Sequence, residues 1–229
     1  EWYVELSNNR LVFGGCIDKN IDSYDLSNVA GTNKQATSIT RRIFKSASLT
    51  SISGTEYLDF IPLLAFYSCG SLSSTVDLSN SRFIGKCAFE SCTHAKITGL
   101  SSKIERVGNT AFKNCYELVS ANIPNATNIG YEAFYWCNKL ASVDLSSAVT
   151  IEYMAFRGCS SLPRVLNLPN VTFIGDRFLM QTSVLIVHMP KMTKVDSSHV
   201  QQLALSAVSN LRVFLGSKEY PVTEFNISN

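Results

Sequence analysis

The sequence predicts an α/β solenoid: a right-handed, curved stack of about nine turns of 22–23 residues with a single parallel sheet on its concave face. Three observations carry that prediction. A phenylalanine recurs at Phe44, Phe66, Phe89, Phe112, Phe134, Phe156 and Phe178, in steps of 22 or 23 residues. Before each stands an aliphatic residue: Ile39, Ile61, Ile84, Val107, Ile129 and Ile151 at a gap of five, and Ile174 at a gap of four. After the phenylalanine comes a cysteine at a gap of three, at Cys69, Cys92, Cys115, Cys137 and Cys159, with Ala47 in the first turn. No such unit can bury its apolar residues alone, so the turns must stack.

Each element follows from the repeat. Leu140, Val143 and Leu145 form L-x-x-V-x-L, whose ending alternates as a short strand with one buried face does. The A-F-x-x-C piece is too short for a stable helix and suits a single helical or 3₁₀ turn. Toward the N-terminus, Phe13 and Cys16 repeat the F-x-x-C spacing, and a step of 31 residues to Phe44 places an insertion in 30–36. Toward the other end, Val195 and Val200 keep the aliphatic-to-aromatic spacing without the ring. Degenerate end turns are expected where a stack is capped. One continuous domain results: a degenerate, insertion-bearing cap over 1–38, repeats over 39–196, and a C-terminal cap over 197–229. Residues Ser198 to Ser209 read as a capping helix followed by a strand, and 219–229 as a further edge strand limited by Pro221.

The pattern I-G-x-x-A-F-x-x-C-x-x-L-x-x-V-x-L-P resembles the BspA-type leucine-rich repeat, also called the Treponema pallidum type. The best turns are 84–106, 107–128, 129–150 and 151–173, and recognisable columns cover 39–190. The resemblance implies a surface or secreted protein of a host-associated microbe, with several adhesins among its kin. Ala47, the Arg41–Phe44 segment and the shortened turn at 174–178 depart from the pattern and blur its two ends.

Composition excludes several other classes. Hydrophobic residues at 45% supply a continuous core, which excludes disorder. Charged residues at 17% and a net charge of +2 leave no concentrated basic face for nucleic acid. No run approaches the roughly 18 apolar residues of a membrane span. The start at Glu1-Trp2-Tyr3 reads as a mature or trimmed chain, from which any signal peptide or lipid anchor, such as that of a lipoprotein, is removed.

Six of the seven cysteines share the repeat position, Cys16 included, and are expected as a ladder of buried free thiols. Stacked side chains run parallel, which holds their Cβ atoms near the strand spacing of ~4.8 Å, wider than a disulfide prefers. Cys87 lies outside that column and is expected to be exposed. C-x-x-C is absent, and His94, His188 and His199 lack ligand spacing to a cysteine pair, so no metal site is expected. Neither G-x-S-x-G, a phosphate-cradling glycine loop nor H-E-x-x-H occurs, which leaves no catalytic or cofactor-binding signature.

Two surfaces are candidates for binding. Outward strand positions on the concave sheet form a polar row of Asp25, Asp77, Asn122, Asp144, Asn167 and His188, with Gly99 in the same phase. A row one step earlier holds Ser120, Ser142, Arg164 and Ile186. An extended sheet face is the usual recognition surface of a solenoid, although a merely solvated face would look alike. Tyr116, Tyr131, Tyr135 and Trp136 form the second candidate, an aromatic patch suited to a protein hot spot or to stacking on sugars. Packing against a neighbouring turn would explain these rings equally. The sequons at Asn125 and Asn170 share one repeat phase and read as by-products of the turn, with a third at Asn226. The expected function is a non-enzymatic, adhesin-like surface or secreted module, monomeric, recognising a protein such as a host matrix protein through the concave row. The alternatives are a glycan-binding module using the aromatic patch, and a structural spacer.

Overall fold

A computed structural model describes residues 2–6, 10–14, 18–28, 36–192, 212–215 and 218–221. They form a solenoid whose strands, β1–β19 in chain order, lie in two interleaved series. The first series runs β3 (Ser23–Asp25), β5 (Ser51–Ser53), β7 (Thr75–Asp77), β9 (Lys96–Thr98), β11 (Ser120–Asn122), β13 (Ser142–Asp144), β15 (Val165–Asn167) and β17 (Ile186–Met189). It closes with β18 (Arg212–Leu215) and β19 (Lys218–Pro221). The second series runs β1 (Trp2–Leu6), β2 (Arg10–Gly14), β4 (Ala36–Ile39), β6 (Phe60–Ile61), β8 (Phe83–Ile84), β10 (Arg106–Val107), β12 (Asn128–Ile129), β14 (Thr150–Ile151) and β16 (Phe173–Ile174).

Parallel pairing therefore occupies two walls of the stack instead of one. The second wall is the more continuous, a six-stranded parallel sheet in the order β16-β14-β12-β10-β8-β6. The first wall, where the sequence places the sheet, is divided into β3-β5, β7-β9, β11-β13 and β15-β17-β18-β19. Side chains replace backbone at one of its breaks: the Thr55 hydroxyl accepts from Asp77 N–H at 2.9 Å, and the Ser74 hydroxyl accepts from Ile52 N–H at 3.0 Å. At the N-terminal end β1 and β2 form an antiparallel hairpin, and β19 folds back antiparallel on β18 at the other.

The A-F-x-x-C segments are not helical. Among the described residues the only helix is a 3₁₀ turn over Thr55–Tyr57. The residues two before and two after each phenylalanine take positive φ, as at Cys87 (55°) and Ser91 (63°) around Phe89 or Glu132 (49°) and Trp136 (57°) around Phe134. Left-handed residues at that interval break any helix. They turn alternate amides toward the next turn, so that Cys87, Phe89 and Ser91 donate to the carbonyls of Asn109, Ala111 and Lys113 at 2.9, 2.8 and 2.7 Å. The segments are stacked tight turns that hydrogen-bond along the solenoid axis.

One apolar cluster fills the interior from Phe13 to Val213. Phe44, Phe66, Phe89, Phe112, Phe134 and Phe156 stack with ring centroids 5.0–5.6 Å apart and planes within 15°. Beyond Phe44 the spine continues through Tyr24 to Phe13, at 5.6 and 4.9 Å. Each buried ring contributes about 1.5–3 kcal/mol by area alone. The thiols line up beside them, each S–H donating to a phenylalanine carbonyl of the preceding turn: Cys92 to Phe66 at 3.0 Å, Cys115 to Phe89 at 3.1 Å, Cys137 to Phe112 at 3.1 Å. A cysteine suits this column because it is small, apolar and still a weak donor to an otherwise under-satisfied buried oxygen. Burial pushes the Cys115, Cys137 and Cys159 thiols well up, and the described cysteines are free. Cys87 is half-buried rather than open, its sulfur accepting from the Thr110 hydroxyl at 3.0 Å.

Two expected positions shift. Phe13 pairs with Ile39, so it stands in the aliphatic column although its ring joins the spine. Phe178 accepts from Phe156 N–H just as Ala155 accepts from Phe134 N–H, which places it in the alanine column and Leu179 in the phenylalanine column. The turn is regular when counted from Ile174; only its residue types have moved by one. Eight turns lie within the described residues if counted by the aliphatic column from Phe13 to Ile174. Cys16, the insertion at 30–36 apart from Ala36, the Val195 and Val200 turn, the helix over Ser198–Ser209 and the sequon at Asn226 lie outside the described residues.

Candidate functional site

Strand register aligns the polar row of the first wall in pairs, one pair within each sheet segment. Asp25 pairs with Ser53, Asp77 with Thr98, Asn122 with Asp144, and Asn167 with His188. Thr98, not Gly99, holds the row in its turn; a Cβ on Gly99 would lie 2.3 Å from the Asp77 carboxylate. Val165, not Arg164, pairs with Ile186 in the neighbouring row, because this turn carries one extra residue. Arg164 lies just before β15.

The side chains of this row are largely engaged in shaping their own turns. Asp25, Asp77 and Asp144 each open a D-L-S triplet, and each carboxylate accepts from the N–H two residues on, at Ser27 (2.9 Å), Ser79 (2.9 Å) and Ser146 (3.0 Å). This is an Asx turn, which ends a strand by turning the chain back on a carboxylate. Asp25 also accepts from the Ser27 and Ser53 hydroxyls at 2.6 and 2.8 Å. The Ser27 hydroxyl first, then that of Ser53, hold its carboxyl below the ordinary value. Asn122 accepts from the Ser142 hydroxyl at 3.0 Å, while Asn167 is exposed. The His188 ring stacks on Phe214 at 4.6 Å.

The aromatic patch is only partly assembled. Tyr116, Tyr131 and Trp136 are exposed, at 39%, 39% and 37% of their surface. Trp136 lies against Gly158 of the next turn, where an added Cβ would meet its ring at 2.7 Å. It meets Tyr135 edge-on at 6.4 Å. Tyr135 is half-buried between two cations, Lys113 Nζ at 4.8 Å and the Arg157 guanidinium at 5.6 Å from its centroid. Lys113 in turn donates to the buried Glu132 carboxylate at 2.5 Å. Burial works against the ammonium, yet the Glu132 bond and charge outweigh it and leave the Lys113 pKa raised. Tyr131 stacks on Tyr153 at 5.3 Å, toward the second wall.

That second wall carries residues which the sequence reading passed over. The first residue of each two-residue strand points outward, giving the row Phe60, Phe83, Arg106, Asn128, Thr150 and Phe173. Phe60 and Phe173 are 38% and 48% exposed. Behind the row runs a glycine column. A Cβ on Gly108 would lie 2.7 Å from Lys86 N, and one on Gly175 would lie 2.2 Å from Tyr153 N. Only glycine lets successive turns approach so closely there. Two adjoining cavities of about 380 and 460 Å³ open over this wall, and Glu152 lines both. Its carboxylate accepts from Tyr131 N–H at 3.1 Å and from the Asn128 amide at 3.4 Å. Glu152 interrupts the glycine column, a signal that was present in the sequence.

This architecture, parallel short strands alternating with stacked turns around an aromatic and thiol spine, is that of a leucine-rich-repeat solenoid. The profile of the BspA type Leucine rich repeat region matches it in six copies over residues 22–141 and 82–206, and the chain belongs to that family. Among solved structures it is similar to a leucine rich cell surface protein of Faecalibacterium prausnitzii A2-165, with a TM-score of 0.63 at 22% identity over 81% of this chain and 52% of the other. A leucine-rich repeat protein of Bacteroides ovatus ATCC 8483 gives a TM-score of 0.59 at 23% identity, over 83% of this chain and 57% of the other. The chain thus spans just over half the length of these structures, and the likeness is one of fold. No curated protein matches the chain. Among the described residues no helix is long and apolar enough to cross a membrane, and no cluster of three or more His, Cys, Asp or Glu side chains is placed to hold a metal ion.

Proposed function

We propose that this repeat module is a non-enzymatic, monomeric binding protein, displayed at a cell surface or secreted, that recognises a protein partner in an adhesin-like manner. The observation that supports this reading is the row Asp25, Asp77, Asn122, Asp144, Asn167 and His188, carried in matching strand positions of successive sheet segments over one continuous apolar interior. A row of this kind is pre-organised, so association loses little conformational entropy. The cell-surface name of the Faecalibacterium prausnitzii structure supports the compartment. Biolayer interferometry against immobilised extracellular-matrix proteins tests it. An Asn122→Ala/Asn167→Ala pair, which leaves the Asx turns intact, should weaken binding at least tenfold; unchanged affinity would remove this row from the interface.

A second reading, sugar recognition by the aromatic patch, is supported by the exposure of Tyr116, Tyr131 and Trp136. Under it Trp136→Ala abolishes glycan binding. Retention of neither ligand class would leave the spacer role.

A further inference from the structure

We propose that the groove over the second wall is a binding site for a neutral polysaccharide chain laid across its strands. The site is separate from the polar row of the first wall and does not depend on the protein-partner reading. It is also separate from the aromatic patch around Trp136, whose ring lies against Gly158.

Shape comes first. The two cavities adjoin at Glu152 and follow the stacking axis. From Phe60 on β6 to Phe173 on β16 the wall advances five strand steps, which is about 24 Å at ordinary strand spacing. That length accommodates several pyranose rings in a row and exceeds what a single small molecule would fill.

Chemistry narrows the occupant further. Partly exposed phenylalanine rings stand at the two ends, and between them the Arg106 guanidinium, the Asn128 amide and the Glu152 carboxylate are interspersed with the rings of Phe83 and Tyr153. A protein interface instead gathers its apolar surface at the centre and its polar groups at the rim. A polysaccharide fits, because each ring offers an apolar C–H face to an aromatic side chain and a hydroxyl rim to donors and acceptors. Glu152 is held in place by Tyr131 N–H and Asn128, which leaves its remaining lone pairs for hydroxyl donors. Arg106 is opposed by Glu152 and Asp176, so the groove lacks the one-signed field that would select a polyanion. An added peptide strand is disfavoured too. The wall presents a face, and its amides are already bonded to the preceding turn, as from Gly108 to Ile84 at 2.8 Å and from Glu152 to Ile129 at 2.9 Å.

Native affinity electrophoresis tests the proposal, using gels that contain soluble mixed-linkage β-glucan, xyloglucan, galactomannan, laminarin or, as the anionic comparison, heparin. At least one neutral polysaccharide should retard the protein, with little dependence on salt. The variants Phe60→Ala/Phe173→Ala and Asn128→Ala should each bind at least tenfold more weakly, with melting curves confirming that both remain folded. Trp136→Ala and Asn122→Ala/Asn167→Ala should bind as the parent does, which keeps this site distinct from the patch and from the polar row. Failure of all four neutral polysaccharides to retard the protein overturns the proposal. So does retardation by heparin alone, or retardation that survives the groove variants and is lost with Trp136→Ala.

Discussion

The two walls are built from strands of the same repeat, yet they treat their outward side chains differently. On the first wall the aspartates at 25, 77 and 144 are drawn into Asx turns, and His188 lies on Phe214. On the second wall the turns close through glycine, whose missing Cβ admits the preceding backbone. Phe60 and Arg106 there face solvent. A regular polar row can therefore be a structural device, while an irregular row of mixed residue types is the freer surface. Turn closure needs one chemistry repeated at every turn, and recognition does not.

The interior common to both walls sets the scale of any test. Phe112→Ala removes a fully buried ring from the middle of the spine and should destabilise the fold by about 3–5 kcal/mol. Phe60→Ala on the second wall should stay within about 0.5 kcal/mol, as expected of an exposed site. Urea denaturation of both variants measures the contrast, and a large loss at Phe60 would mean that this ring belongs to the core.

Gly108→Ala is next in size. The new methyl would meet Lys86 N and Gly85 C at 2.7 and 2.8 Å, and backbone cannot swing aside. A loss of about 1–3 kcal/mol is expected from such overpacking, read as a lower denaturation midpoint. A neutral result would show that the turns of the second wall can separate, and would undercut its account as a close-packed groove floor.

Smaller again is Asp144→Ala, which should cost about 1 kcal/mol by removing a turn-capping acceptor. Asn128→Ala on the other wall should cost less than about 0.5 kcal/mol. If the two losses are equal in thermal melts, the distinction between the turn-forming row and the groove-lining row collapses.

The smallest effect is a pH dependence at Asp25. Its folded pKa lies below the ordinary carboxyl value of 3.8. The stabilisation is therefore fully present above that value and disappears as pH falls through the folded pKa. Asp25→Asn should flatten only this acid limb of a stability–pH curve and leave neutral-pH stability nearly unchanged, since the group is exposed and solvent screens it.

Much of the fold was legible because the repeat is written in residue type. The phenylalanine spacing located the aromatic spine, and the cysteine column located thiols that donate to buried carbonyls. The helical reading of A-F-x-x-C failed for a local reason. The left-handed positions are occupied by Arg42, Ser46, Cys87 and Thr110, among others, so no glycine announces them. Two-residue strands were missed because alternation cannot show itself over so short a run. Phe178 was misplaced because its ring moved by one position within a turn of regular length, and only the bond from Phe156 N–H shows which column it occupies. The D-L-S triplets were readable as turn caps, since aspartate two residues before serine is a known turn-forming arrangement.

Alone, the sequence determined the period, the stacked interior and the family, because burial repeats the same demand in every turn. Tertiary structure decided where the parallel sheet is continuous and which polar and aromatic side chains remain available to a ligand. That second question depends on bonds between residues a whole repeat or nearly so apart, such as Tyr131 to Glu152 and Lys113 to Glu132, and no local pattern encodes them.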